Sequence, residues 1–448
     1  MHHMRSDNNK KKIQLRRSIG LPHATAMVVG TIIGASIFVQ PSEITGQVSS
    51  VSGVFLVWLI SGVLTFFGAL VCAELASIFA QSGGVYIYLK EAFSPSVGFL
   101  WGWAMFWSVH SGIIAAIAVI FSRYVSYFLP MNNVMIRALS VVVILILSAI
   151  NYLGVKQGST IQTLFTFGKI IAILFIIVAG FVLGSRVPEH FVSGEMGQSG
   201  FSLNSFLLAL VAGLFAFGGW HMVTYNSEET IDPRKTIPRA LMLGTLIVTL
   251  CYVALNAVYM YVLPLDSVAS SSRIAADAAD VLVGFGGGAF MSALVIFSTF
   301  GALSGIILCG PRVYYAMAQD GLLFRWVGKI HPRYKTPHKA IFLQAFWSSV
   351  LVATGTYRIL FTRVIYTEWA FFGLMAIGLF VLRKKTGILR EYRVWGYPIV
   401  PAFFIVASFA IVVNQMISDP KESLFGLTLV LIGLPMYYLW TKRMQAGD

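Results

Sequence analysis

Two kinds of residue in this 448-residue chain stand where their chemistry is out of place. One is a lysine. Lys169 lies about ten residues into the apolar run that contains "TLFTFGKIIAIL". A charge at that depth in hydrocarbon is expensive and usually has a partner or a role, although a stem snorkelling back toward Ser159 would also account for it. The other is glycine. "VVGTIIGASIFVQPSEI" (Val28 to Ile44) is apolar at both ends, but its middle is Gly30, Thr31, Gly34, Ala35 and Ser36. "LLALVAGLFAFGGWHMVTYNSEE" (Leu207 to Glu229) is punctuated in the same way by Gly213, Gly218 and Gly219. Glycine inside a helix costs about 1 kcal/mol relative to alanine. Backbone freed in hydrocarbon survives only where it lines protein or a water-filled cavity.

Interrupted helices have a definite chemistry. A half-helix beginning at mid-membrane offers free N–H groups and a positive dipole end to a carboxylate. A half-helix ending there offers carbonyl oxygens to an ammonium group. Two such breaks cradle a zwitterion without any charged side chain, and the ligand implied is an α-amino acid. The plainer reading of either stretch alone is close helix packing, since Gly30 and Gly34 form a GxxxG pair. The two breaks fall in the first and sixth apolar spans, at matching places in two five-span halves. That pairing is the sequence pointer to an inverted-repeat transporter with its site at the midplane.

The elements that must hold these residues are set by composition. Apolar residues make up 57% of the chain and charged residues 11%, with a mean hydropathy of +0.78. Soluble domains carry roughly 25% charged residues, so the chain is expected to be an all-α polytopic membrane protein. Apolar windows mark about twelve spans, near 23–47, 53–79, 95–128, 134–152, 159–183, 204–227, 238–263, 285–310, 340–356, 364–382, 399–417 and 424–441. The formal charge of +14 is distributed by side: 24 Lys or Arg flank the spans on one face and seven on the other. The positive-inside rule then places both termini in the cytoplasm, with an even number of spans in the cell membrane. The charge is therefore topology, aided by anionic headgroups, and it is not a nucleic-acid footprint. No cleavable signal is read before the first span.

Other function classes lose support on the same residues. The three cysteines, Cys72, Cys251 and Cys309, lie in apolar runs without metal-ligand or pairing spacing. No metal site or cofactor is expected. None of the eight histidines stands in an HExxH arrangement and no nucleophile elbow occurs, so an intramembrane enzyme is a remote alternative. A channel would need a repeated filter or a polar stripe, and neither is visible.

"GTIIGASIF", "GLFAFGGWHMVTYNSEETIDPRKTIPRAL" and "FSTFGALSGIILCGPRVYYAMAQDGLL", followed by "HPRYKTPHKA", resemble the amino acid–polyamine–organocation (APC) superfamily. Within it the chain is most similar to the L-type amino acid transporters and their bacterial relatives, from about Ile19 to Trp440. The resemblance implies a five-plus-five inverted repeat with discontinuous first and sixth helices and two extra C-terminal helices. Mapped onto this chain, residues 1–18 are a cytoplasmic tail, 19–186 and 204–382 the two repeats, and 399–441 the added helices. It further implies that N–H groups around Gly34, Ala35 and Ser36 take the substrate carboxylate, and that the carbonyls of Ile32, Phe215 and Gly218 take its amino group. Phe215 would be the aromatic lid, Trp220 would pack beside the broken sixth span, and His221 would face the substrate side chain. Lys169 resembles the fixed cation that stands where sodium would bind in sodium-dependent relatives, tethering the first span. It could instead carry a coupling proton.

The chain departs from the family at two points. Gly34-Ala35-Ser36 replaces the usual Gly-Ser-Gly, and His221 stands where relatives often carry Asn. Both bear on the substrate side chain. Among other candidates, Tyr252 and Asn256 face either the site or a neighbouring helix, and His110 reads as a packing residue. Glu74 is expected to pair with a basic residue on the cytoplasmic side, and Glu228 and Glu229 to form gate salt bridges with Arg234, Lys235 or their neighbours. Glu368 is expected in an interfacial pair with Arg363, with a proton site as its alternative. The function expected is secondary active transport of neutral L-amino acids by alternating access. Sodium-independent exchange is the first reading and proton-coupled symport the second, and no accessory subunit is required.

Overall fold

A computed structural model describes residues 17–445 apart from Ser18, Ala35, Ser82, Gly154, residues 185–201, Phe285, Lys335, Thr356, Thr386 and Ile388. The expected N-terminal tail lies outside them except for Arg17, as do the side chains of residues 154–167 and of Glu229. Nine helices among the described residues are long and apolar enough to cross a membrane. They include Val51–Ile78, Pro95–Val125, Asn133–Leu153, Pro233–Val262, Gly287–Gln319 and Ile399–Ser418. The broken first span (Leu21–Ile32, then Gln40–Thr45), the fifth (Val155–Leu183) and the ninth (His338–Thr354) bring the number to twelve. This is a multi-pass, all-helical membrane protein.

Burial sorts the spans into centre and rim. The third and sixth have 83% of their apolar windows buried, whereas the fourth and eleventh have 28% and the twelfth 17%. The rim helices expose residues such as Leu145, Val406 and Leu424, the outward-facing apolar surface that lipid requires. The second span packs along the seventh, the third against the eighth and the fourth against the ninth. The two pieces of the first span meet the two pieces of the sixth.

Short-range chemistry sets the helix ends. Ser50 and Ser94 accept from Gly53 N (3.2 Å) and Val97 N (3.4 Å) at the starts of the second and third spans. On the face carrying the termini, the ends of the first and sixth spans are joined through main chain, with Ile231 N donating to Ile19 O at 2.9 Å.

The same face carries a buried ion pair. Glu74, wholly buried at the end of the second span, accepts from Arg383 Nε (2.8 Å) and Nη2 (2.5 Å) and from Val394 N (2.6 Å). Arg390 lies 3.8 Å away. Glu74 thus pairs with a basic residue, as its position in the sequence led us to expect. Arg234 and Lys235 reach Glu391, at 3.8 and 3.7 Å, and Lys235 also reaches Asp232. On the opposite face Arg363 pairs with Glu422 through Nε (2.8 Å) and Nη2.

Candidate functional site

The first span stops as a helix at Ile32. Ile33 N still donates to Val29 O (2.8 Å), but Gly34 N turns back to Ile32 O (2.6 Å). The chain restarts as one 3-10 turn, Ser36–Phe38, and then Gln40–Thr45 with Pro41 in its first turn. Ala35, at the point of the break, lies outside the described residues. The sixth span breaks after Leu203–Ala216 and resumes as a 3-10 segment, Trp220–Glu229. Gly218 N donates to Phe215 O (3.0 Å) across this turn.

The glycines fall into three roles. Gly219 has φ +93°, and a Cβ there would stand 3.0 Å from Thr31 O of the first span, so it lets the two breaks approach. A Cβ on Gly213 would collide with Ser61 Oγ of the second span, which makes it a packing glycine. A Cβ on Gly34 would find only Ile32 O, at 3.8 Å. No neighbouring helix presses on Gly34, so the GxxxG packing account does not apply to it.

Two side chains hold the breaks. Lys169, buried in the fifth span, donates from Nζ to Gly30 O and Ile33 O, each at 3.1 Å. Its charge is spent on the last carbonyls of the first half-helix and does not snorkel. From the seventh span, the Tyr252 hydroxyl lies 2.9 Å from Ile32 O and 3.0 Å from Ala216 O, the ends of both half-helices. Trp58 and Phe217 pack edge-on against its ring. Asn256 supports it one turn on, donating to Tyr252 O at 2.8 Å. Ile32 O therefore receives both Gly34 N and Tyr252 in this conformation. His110 Nε2 donates to Ile306 O (2.7 Å), packing the third span against the eighth.

The breaks enclose a cavity. Gly34, Ser36, Phe215 and Gly218 line one side, with Thr31 and Ile32. Ile113, Ile117, Met222, Ile306 and Val364 supply an apolar wall. The centre of a water-sized sphere sweeps about 20 Å³ there, room for about one water. This conformation is nearly closed.

Glu368 is the one titratable side chain among the described residues of that wall. The interfacial pair with Arg363 expected for it does not form: Arg363 bonds Glu422, and Glu368 is 1% exposed. The helix begins at Tyr357, which sets Glu368 about three turns deep. Its Oε1 has no hydrogen-bond donor among the described residues. The nearest base, His221 Nδ1, is 3.7 Å away, beyond hydrogen-bond range.

His221 does not line the cavity. It sits behind Glu368 in a ring of Trp101, Trp220, Tyr225 and Phe372, with centroids 5.1 to 5.9 Å away. Trp220 packs on Phe372 beside the break.

The chain matches the amino acid permease family model over residues 19–436. It is 32% identical over 433 residues to the serine/threonine exchanger SteT of Bacillus subtilis, covering 96% of this chain and 98% of that one. It is 30% identical to the human b(0,+)-type amino acid transporter 1, covering 96% and 89%. It is also 30% identical to the mouse large neutral amino acids transporter small subunit 2, covering 95% and 81%. With the paired breaks and their cavity already in place, these matches show that the chain belongs to the amino acid permease family of the APC superfamily, with relatives among the L-type transporters, and that it is an amino acid transporter and not an enzyme.

Proposed function

We propose that this protein exchanges neutral L-amino acids across the cell membrane, independently of sodium, by alternating access. The observation that carries this reading is the pair of helix breaks facing one cavity, with the Lys169 ammonium on the carbonyls of the first break. The N–H groups at Gly34 to Ser36 take the substrate carboxylate. Carbonyls at Phe215 and Gly218 take its ammonium, joined by Ile32 once Tyr252 releases it. Phe215 closes over the substrate and Trp220 moves with the sixth span. The fixed charge of Lys169 does the tethering that a sodium ion would do.

The repeats are 19–186 and 204–382, followed by two helices at 399–441. The contacts of the second span with the seventh, the third with the eighth and the fourth with the ninth fit a two-fold relation between them. Both termini are cytoplasmic on the charge distribution. On the same reading it works without an accessory subunit.

Purified protein in liposomes loaded with unlabelled neutral amino acid should take up labelled amino acid equally in sodium and choline media. Uptake into empty vesicles driven by an inward proton gradient would replace exchange by symport. The buried Glu368 carboxyl on the cavity wall is the observation favouring that second reading.

A further inference from the structure

Unpartnered buried polar atoms are scattered through the spans, the hydroxyls of Ser61, Tyr259 and Ser348 among them. A neutral hydroxyl left so costs far less than a charge would. Between the tenth span and the second half of the sixth, the unpartnered atoms belong to two ionisable side chains. Glu368 Oε1 faces His221 Nδ1 at 3.7 Å, and neither atom has a hydrogen-bond partner among the described residues. Both side chains are buried, and His221 Nε2 is unpartnered as well. Among the described residues no fixed cation offsets the carboxylate. Arg363, on the tenth span itself, is taken by Glu422. On the face carrying the termini, Lys90 bonds Asp320 and Arg383 bonds Glu74. Lys169 is held at the first break, and Tyr252 of the seventh span bridges both breaks. The first half of the sixth span and the eleventh span carry no ionisable residue. The titratable groups that do face the pair are Tyr225 beside it, His110 on the third span, and Cys72 and Cys309 on the second and eighth. None of them is a permanent cation. A carboxylate beside a neutral imidazole would thus stand as an uncompensated buried charge, whereas one added proton leaves the pair neutral overall whichever atom holds it.

We infer that Glu368 and His221 together form a proton-binding site, assembled when the sixth span closes on the tenth and taken apart when it swings away. This deepens the exchange reading above and rests on it. Glu368 belongs to the cavity wall on the tenth span, and His221 to the half-helix that restarts at Trp220. Trp101, Trp220 and Phe372 pack around the imidazole and hold it against the carboxyl. Each passage through the closed conformation takes up one proton and gives it back on opening. Passages in opposite directions cancel, so exchange moves no net proton. Because the closed conformation binds the extra proton, low pH favours it. Exchange therefore slows as pH rises, by at most about tenfold per pH unit for a single proton.

Counterflow of a mixture of labelled L-alanine and L-leucine into proteoliposomes, with equal pH inside and out, tests this between about pH 5.5 and about pH 8.5. The wild type should slow across that range by about tenfold or more. Glu368→Gln keeps the shape, offers an N–H to the imidazole and cannot ionise, so its exchange should no longer vary with pH. His221→Gln leaves the carboxyl without its partner and should move the midpoint of the profile by about one pH unit or more. Should either variant fail to fold, the detergent-purified wild type gives a second readout. In weakly buffered solution at that midpoint, adding the same mixture should draw protons from the medium, up to about one per protein. A flat wild-type profile overturns the proposal, as does the wild-type slope in Glu368→Gln, an unmoved midpoint in His221→Gln, or no proton uptake by the wild type. Accumulation of the mixture in empty vesicles under an inward proton gradient overturns it too, since the proton would then be a driving ion. No counterflow at any pH would remove the exchange reading, and the proposal with it.

Discussion

The hydroxyl of Tyr252 lies 2.9 Å from the carbonyl oxygen of Ile32, and the same atom is 3.0 Å from Ala216 O. One side chain of the seventh span thus joins the ends of the half-helices on both sides of the cavity. Tyr252→Phe keeps the packing on Trp58 and Phe217 and removes only the bridge. A neutral hydrogen bond contributes about 1 kcal/mol, so turnover in liposomes should fall about fivefold. Ligand-induced thermal stabilisation should persist, because the N–H groups for the carboxylate are untouched.

Lys169 makes two charge-assisted bonds to the first break. Each such bond contributes roughly 1.5–3 kcal/mol. Lys169→Ala orphans Gly30 O and Ile33 O and frees the half-helix. Transport should drop at least about a hundredfold, while the protein still elutes as a single folded species in size-exclusion chromatography. Unchanged transport would leave the lysine a purely structural residue.

Gly34 and Gly219 should separate binding from folding. Gly34→Val adds bulk beside the cavity with no helix in its way, so binding should weaken by about tenfold or more with little change in melting temperature. Gly219→Ala forces a Cβ into a left-handed conformation against Thr31 O. That variant should lose about 1 kcal/mol or more of stability, read as a lower melting temperature. The reverse pattern would assign Gly34 to packing after all.

Glu74 is buried with two arginines and a main-chain N–H around it. Removing one partner of a buried pair costs about 3–5 kcal/mol. Glu74→Ala should therefore lower thermal stability strongly, and Glu74→Gln less, because the amide oxygen still accepts from Val394 N. Substrate preference should be the same in both.

What the sequence made legible follows from which signals survive without tertiary context. Glycine runs and a lysine inside apolar spans are anomalous in any fold, so both breaks and Lys169 stand out from composition alone. Glu368 was placed too shallow because apolarity marks the tenth span from about 364, whereas the helix starts at Tyr357 behind polar residues. The extra turns carry the carboxylate from the interface to the cavity. His221 was expected at the substrate because the resemblance to the family places it there. In this chain the segment Trp220–Glu229 is a 3-10 stretch with a non-helical residue at Asn226, and the imidazole packs on Trp101 and Phe372. Tyr252 was undecided between site and packing, since only the fold brings its hydroxyl to two carbonyls at once.

The main-chain bond from Ile231 to Ile19 has a consequence for how a gate is found. Side-chain replacement at either residue leaves the amide and the carbonyl in place, so an alanine scan passes over this clasp without registering it. Only a residue lacking the N–H, proline at 231, deletes it. A clasp written in backbone can also be kept by almost any sequence, so drift in the residues on either side would not loosen it.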